Sequence, residues 1–445
     1  MNDLLVIHNL FQFGIKRFEN EDPQLKRLSA FSYTYVSTLI DLFAQLPAGI
    51  YTLTGGRQVG KSTLLKQLIL HILKNKSISP ANIYYMTGEV IGTNDLLLRE
   101  MQEFLLKETI NNNQLTYIFI DEITYIDSWH HSIKFLADAA FLDNTVVILT
   151  GSDSVFIKDT RSRLPGRRGV SPEVDFHYYP LSFKEYLLLR SNISPGSILE
   201  IENDSTDIPA ENINQLYNEF ESYLVTGGYC AALNSFAGNG EIGKAVYQTY
   251  FDWIRGDFIK RNKNEQSLRE ILTSIIKKYG SQITWNSLAA DLSTSHHHTV
   301  YEYCDILQAM DTVYIQHALR EDKLAAAPKK AKKIHFTDPF ILNAVCKMLA
   351  ITPPDKSTIV ESVIISHIRR HHATYYIKSD GEIDCAWVEK GRFRPLEVKW
   401  TNKIKPEHFR LLKRYPDSAL AAKVNKTFSV DGVPVYPVPV LLLRF

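Results

Sequence analysis

The sequence predicts an α/β chain, and three observations carry that prediction. An apolar stretch, Gly49–Thr54, runs straight into a glycine-rich turn and then an amphipathic helix. Two further apolar stretches, 115–120 and 145–150, deliver polar or acidic residues at their C-terminal ends. After residue 336 strand-like and helix-like segments alternate again. With 445 residues, 45% of them hydrophobic and 22% charged, there is apolar material for roughly three or four domains of about 100–150 residues. Global disorder and fibrous repeats are thereby excluded.

The first strand leads into Gly55-Gly56-Arg57-Gln58-Val59-Gly60-Lys61-Ser62-Thr63. This is the Walker A spacing in its strand–loop–helix context. Gly55 and Gly60 permit the tight loop whose amides surround phosphate oxygens, and the following helix offers its N-terminus to the same anion. Lys61 is expected to reach the β- and γ-phosphates of ATP and Ser62 to ligate Mg²⁺. Leu64, Leu65, Leu68, Ile69 and Ile72 form the packing stripe of the helix.

The strand 115–120 ends in Asp121-Glu122, the Walker B pattern. Asp121 is expected in the Mg²⁺ coordination sphere, and Glu122 is placed to orient or deprotonate the attacking water. The strand 145–150 delivers Thr150, Gly151, Ser152 and Asp153. In a parallel sheet the C-terminal strand ends line the ligand crevice, so Thr150 or Ser152 is the candidate γ-phosphate sensor; a neutral hydroxyl avoids repulsion. The run Arg161-Ser-Arg-Leu-Pro-Gly-Arg-Arg168 concentrates four guanidiniums, of which Arg167 or Arg168 is the candidate for stabilising transition-state charge, in cis or from a neighbouring subunit. Asp127, Trp129 and His130 read equally well as a partner-facing or coupling group and as a cap with a packed aromatic.

Taken together, YTLTGGRQVGKSTLLKQL, YIFIDEITYIDSWHHSIKFLADA, VVILTGSD, RLPGRRG and YYPLSFKEYL resemble the prokaryotic AAA-type ATPases that carry a further C-terminal domain. The resemblance extends to YLVTGGY at 223–229 and PKKAKKIHFTDP at 328–339. It implies Lys61, Ser62, Asp121 and Glu122 as the nucleotide and Mg²⁺ machinery, a role for Arg167, and homo-oligomerisation.

The expected organisation is an N-terminal region 1–45, an ATPase core 46–190, a helical lid or linker subdomain 191–265, a winged helix-turn-helix 266–335 and a C-terminal domain 336–445. In the winged segment three short helices precede the strand 313–315, and 295–309 is the nominal recognition helix with Ser295, His296 and His298 near its start. That helix carries Glu302 and Asp305 and no Arg or Lys, so a protein partner competes with DNA. His296, His297 and His298 point in different directions on a helix and supply no convergent metal set. Lys329, Lys330, Lys332 and Lys333 offer a basic patch or a solvated linker.

Near the C-terminus Glu361 lies in a helix, Asp384 follows a turn, and Glu397-Val-Lys399 ends a strand. Strand alternation puts Glu397 and Lys399 on one face, where two carboxylates and a lysine could serve a divalent metal and a scissile phosphate. The set resembles the PD-(D/E)xK restriction-endonuclease-like superfamily, with Asp384 and Glu397 as metal ligands, Glu361 as the helical acid and Lys399 as the lysine. Gly381-Glu-Ile-Asp384 stands in place of the nominal Pro-Asp pair. Between Lys390 and Arg414 nine Lys or Arg face two Glu, a local surface suited to phosphate.

Overall charge is neutral in effect, 50 Lys and Arg against 49 Asp and Glu, so no nucleic-acid partner follows from it. The cysteines at 230, 304, 346 and 385 form no CxxC pair, which argues against a disulfide framework or cysteine zinc site and for a cytoplasmic setting. No apolar run reaches the ~18–20 residues a membrane span requires. The combined expectation is Mg²⁺-dependent ATP hydrolysis coupled to a nucleic-acid-associated C-terminal module; the alternatives are an ATP-regulated, metal-dependent DNA nuclease and a nucleotide-switched protein-interaction module.

Overall fold

The computed structural model describes residues 3–111, 113–152, 160, 162–293 and 296–445. The chain divides into two compact units, residues 1–179 and 180–445.

In the first unit, short helices α1 (Ile15–Glu21), α2 (Pro23–Leu28) and α3 (Leu39–Phe43) precede β1 (Gly49–Thr54). There follow α4 (Lys61–Asn75), β2 (Ile83–Thr87), α5 (Gly88–Ile91), α6 (Asn94–Leu105), β3 (Thr116–Asp121), α7 (His130–Asp138), β4 (Thr145–Gly151) and β5 (Asp175–His177). The sheet runs β2-β3-β4-β1-β5, every neighbouring pair parallel. Because the central strands are covered on both faces, they are apolar without alternation: β3 and β4 are buried along their whole length. One face packs on Leu64, Leu65, Leu68, Ile69 and Ile72 of α4, the stripe read from the sequence. Leu97, Met101, Ile133 and Leu136 of α6 and α7 cover the other.

The region 1–45 is part of this unit's core. Leu10, Phe11, Phe18, Leu25, Ile40 and Phe43 join the same apolar cluster as α4 and β1. Its short helices and 3-10 turns have no long periodic stripe, so their burial was not evident in the sequence.

The second unit opens with α8 (Phe183–Arg190), α9 (Pro195–Asn203), α10 (Ala210–Thr226), α11 (Cys230–Asn239) and α12 (Lys244–Lys260). A capping box of Ser182 and Glu185 starts α8, and the His367 ring, buried in the same unit, accepts a hydrogen bond from the Phe183 amide at 2.9 Å. The helices expected as a lid or linker thus lie within unit 2, where Tyr250 of α12 packs edge-on to Phe340 with centroids 4.8 Å apart.

Next come α13 (Glu265–Lys277), α14 (Trp285–Ala289), α15 (His297–Ala309), β6 (Val313–Arg320), β7 (Ala325–Ala326) and β8 (Lys332–Phe336). The chain closes with α16 (Pro339–Leu349), α17 (Lys356–Ile368), β9 (Thr374–Lys378), β10 (Glu382–Glu389), β11 (Arg392–Lys399), β12 (Ala419–Ala422), β13 (Phe428–Val430), β14 (Val433–Pro437) and α18 (Val438–Leu441). β6 pairs antiparallel with β8 and parallel with β9, so the strands after α15 and those of the C-terminal segment form one sheet. The expected boundary at 335/336 therefore does not separate two bodies. Among the described residues no helix is long and apolar enough to cross a membrane.

Candidate functional site

The strand order sets the site. β4 lies between β1, which carries the phosphate loop, and β3, which carries Asp121, so groups at the C-terminal end of β4 stand between the two motifs. Gly55 has φ +149°, and a Cβ there would lie 2.3 Å from the Tyr178 carbonyl oxygen. Gly60, at φ +108°, is the left-handed residue from which α4 starts. Residues 55–63 thus form the loop and first turn that the sequence predicts, with Ser62 and Thr63 following Lys61 inside α4.

Lys61 is buried. Its ammonium donates to the carbonyls of Gly55 at 2.9 Å and Gly56 at 3.1 Å and to Ser152 Oγ at 3.1 Å, and lies 3.9 Å from Glu122 Oε1. Ser152 in turn donates to Glu122 Oε1 at 2.5 Å. Thr150 donates to Asp121 Oδ1 at 2.6 Å and accepts the Glu122 amide at 2.8 Å. Asp121 Oδ2 accepts from the Tyr85 hydroxyl at 2.7 Å. The second sensor candidate, Ser152, therefore links Lys61 to Glu122, while Thr150 holds the Walker B backbone and carboxylate.

Glu122 adopts φ +49°, an uncommon conformation for a residue with a side chain. The close approach behind it is made by Gly88: a Cβ there would meet the Glu122 carbonyl oxygen at 2.3 Å. Glu122 Oε2 is buried with no hydrogen-bond partner among the described residues. A buried acceptor left over beside a phosphate loop, together with the hard oxygen donors Ser62 and Asp121, fits a site for Mg²⁺, nucleotide and the attacking water.

The two arginines part company. Arg168 is buried at the opposite end of β1, where it donates to the carbonyls of Ile50 and Val174 and pairs with Asp175 at 2.5 Å. Its proposed role at the γ-phosphate of its own subunit is corrected: the guanidinium is a brace between β1 and β5. Arg167 pairs with Asp138 at the end of α7 near the surface. Arg163 lies 2.8 Å from Nδ1 of His130, Trp129 is packed in the core and Asp127 is exposed. Asp153, Arg161 and Ser295 lie outside the described residues.

In unit 2 the C-terminal set does converge. Lys399 lies 2.5 Å from Glu397 and 3.7 Å from Asp384, and Asp384 accepts the Val398 amide at 2.9 Å. Asp384 stands at a register shift between β10 and β9, where a bulge redirects side chains. Sequence reasoning missed two members. One is Glu382, two residues before Asp384 at the start of β10. Lys333 of β8 is 1% exposed and bonds Glu361 at 2.8 Å and Glu382 at 2.5 Å, with Asp384 at 3.8 Å.

Four carboxylates against two lysines leave negative charge in excess. Burial and the neighbouring Asp384 push Glu361 up to about 8 and Glu397 up to about 7. For Lys333, burial acts to lower the value, but Glu361, Asp384 and Glu382 outweigh it and the net shift is upward. Among the described residues no group of three or more Asp, Glu, His or Cys has the arrangement of a metal site. The expected metal ligands Asp384 and Glu397 pair with lysines in this arrangement, and Glu397 Oε2 is buried without a hydrogen-bond partner among the described residues. The basic patch is corrected too, since Lys332 and Lys333 are both buried and Lys332 sits 4.2 Å over the Trp285 ring. His296, His297 and His298 are exposed at the start of α15.

The fold and site of unit 1 define a P-loop nucleotide-binding domain. Residues 48–187 match the model of the AAA domain family, which with this geometry supports a P-loop AAA-type ATPase. Residues 217–354 match a second family, described as a domain of unknown function (DUF8612). An uncharacterised protein of Haemophilus influenzae is 25% identical over 269 residues, 58% of this chain and 60% of that protein. Protein MJ1544 of Methanocaldococcus jannaschii, also uncharacterised, is 22% identical over 73% of this chain and 67% of its own length. Among solved structures, the Walker-type ATPase PABY2304 of Pyrococcus abyssi aligns with a TM-score of 0.41 at 16% identity, over 74% of this chain and 95% of that one. The Aeropyrum pernix ORC2 protein aligns at 0.39 and 10%, over 71% and 96%. Both scores are too low for either likeness to bear on function.

Proposed function

We propose that unit 1 binds ATP with Mg²⁺ and hydrolyses it. The carrying observation is the chain of contacts from Lys61 through Ser152 to Glu122, whose second carboxylate oxygen is buried and without a partner among the described residues. Ser62 and Asp121 would hold Mg²⁺, which when bound neutralises charge on the β- and γ-phosphate oxygens. The loop amides and the α4 N-terminus orient the phosphates, and Lys61 adds a buried cation. Glu122 Oε2 takes a proton from water as its oxygen bonds to the γ-phosphorus and the bond to the β–γ bridging oxygen breaks, giving ADP and phosphate. Ser152 fixes the Glu122 carboxylate while that proton moves.

The expected behaviour of Glu122→Gln is full ATP binding with hydrolysis reduced about a hundredfold or more, read by filter retention of labelled ATP and product chromatography. Retained turnover in that variant would remove Glu122 from the reaction. Arg167 is the remaining candidate for a group supplied to a neighbouring subunit in a homo-oligomer, since Arg168 is committed within its own sheet.

For unit 2 the proposed role is a nucleotide-switched interaction module. Lys333 and Lys399 pair with the carboxylates a nuclease would use for metal, so metal binding there would have to displace these ion pairs. This favours the interaction reading over DNA cleavage. The reading of α13–α15 with β6 and β8 as a winged helix-turn-helix leaves DNA or protein as its partner, with Lys329 and Lys330 among its exposed cations. Measuring ATPase rate with duplex DNA, with single-stranded DNA and with neither separates these: stimulation by DNA supports a nucleic-acid partner, and an unchanged rate a protein one.

A further inference from the structure

Resting on the nucleotide reading of unit 1, one buried assembly behind the Walker B strand has no part in the reaction as described. Tyr85, in the middle of edge strand β2, is 1% exposed and places its hydroxyl on Asp121 Oδ2 at 2.7 Å. The N-terminal segment and α4 together hold this tyrosine from three directions. Asn9, fully buried, receives the Tyr85 amide at 2.9 Å and donates to the Tyr85 carbonyl at 2.8 Å, as a neighbouring strand would. The His8 ring stacks on the Tyr85 ring with centroids 5.6 Å apart. The Lys66 ammonium, on α4, lies 3.7 Å from the Tyr85 ring centroid.

Lys66 is itself fixed by that segment. It is fully buried, donates to the His8 carbonyl at 2.7 Å and pairs with Asp22 at 3.2 Å. Asp22 is also fully buried, and its other oxygen caps α2 through the amides of Gln24 and Leu25. A cation over a phenol ring draws electron density from it and strengthens the hydroxyl as a donor. Thr150 occupies Asp121 Oδ1 and Tyr85 occupies Oδ2, so together they fix the rotation of the carboxylate. Carboxylates that meet a metal are commonly held by such outer hydrogen bonds.

We infer that Tyr85 is a positioning residue for the Walker B carboxylate, and that the N-terminal segment, through Asn9, His8 and the Asp22–Lys66 pair, is an integral part of the Mg²⁺–nucleotide site. Packing alone would need the ring of Tyr85, not its hydroxyl. Tyr85→Phe keeps the ring, the Asn9 clamp and the Lys66 contact and removes only the bond to Asp121.

The test titrates Mg²⁺ into full-length protein with a fluorescent ATP analogue and measures nucleotide affinity, with EDTA as the metal-free reference. In Tyr85→Phe the Mg²⁺ concentration giving half-maximal tightening rises about tenfold, while affinity in EDTA is unchanged. Lys66→Met, which keeps an apolar stem under the ring, moves the same midpoint in the same direction by a smaller factor. Wild-type protein that tightens with Mg²⁺ alongside a Tyr85→Phe curve superimposable on it would overturn the inference alone. Wild-type protein whose nucleotide binding ignores Mg²⁺ would overturn the nucleotide reading and this inference with it.

Discussion

Arg167 and Arg168 are adjacent in sequence and differ in what surrounds them. Arg168→Ala removes the cation paired with the largely buried Asp175 carboxylate and a donor to the Ile50 and Val174 carbonyls, so denaturant unfolding of the variant is expected to show a loss of about 3–5 kcal/mol. Arg167→Ala leaves stability near that of the wild type, because its partner Asp138 is at the surface. A loss of turnover in Arg167→Ala with stability intact would support a role across a subunit interface. His367 gives a prediction in pH. Its Nε2 accepts from the Phe183 amide and Nδ1 faces the Val363 carbonyl, and burial, then Arg370, pushes its value down to about 3. The folded value lies below the ordinary 6.5, so the stability it contributes is full above about pH 6.5 and is lost as pH falls towards 3. His367→Gln is expected to reduce proton uptake on unfolding near pH 5 by about one proton, measured from the slope of stability against pH.

At the scale of elements, β8 matters most, because it carries Lys333 into the carboxylate cluster of β10, β11 and α17. Lys333→Met is expected to destabilise by about 3–5 kcal/mol in denaturant titration, since Glu361, Glu382 and Asp384 lose their shared cation. Unchanged stability would mean the carboxylates are largely protonated in the wild type. The sequence displayed some of this and hid the rest. β1, β3 and β4 were legible because unbroken apolar runs end in glycines or acids, and the phosphate loop because its spacing is tied to that context. β2 was not read: Ile83–Thr87 is only five residues long, two of them tyrosines, and with it went Tyr85, which reaches Asp121 only because β2 lies beside β3. Lys333 looked like one of four solvated lysines, since alternation along β8 cannot show which face meets buried acids.

For the whole molecule, the division at 179/180 places the helices at 183–260, the segment after α13 and the C-terminal strands in one unit. Sequence patterning suggested separate domains there because each stretch has its own period, whereas the shared sheet is made by long-range pairing of β6 with both β8 and β9. The N-terminal region likewise joins the ATPase core through Phe11, Phe18 and Leu25, with nothing in its sequence beyond scattered apolar residues to mark it. The most direct measurement is steady-state phosphate release from ATP by the full-length protein, in Mg²⁺ and in EDTA, for wild type and Lys61→Ala. Release that requires both Mg²⁺ and Lys61 is the expected result. Release equal in the two proteins, or absent from both at nucleotide concentrations that saturate binding, would contradict hydrolysis at this site.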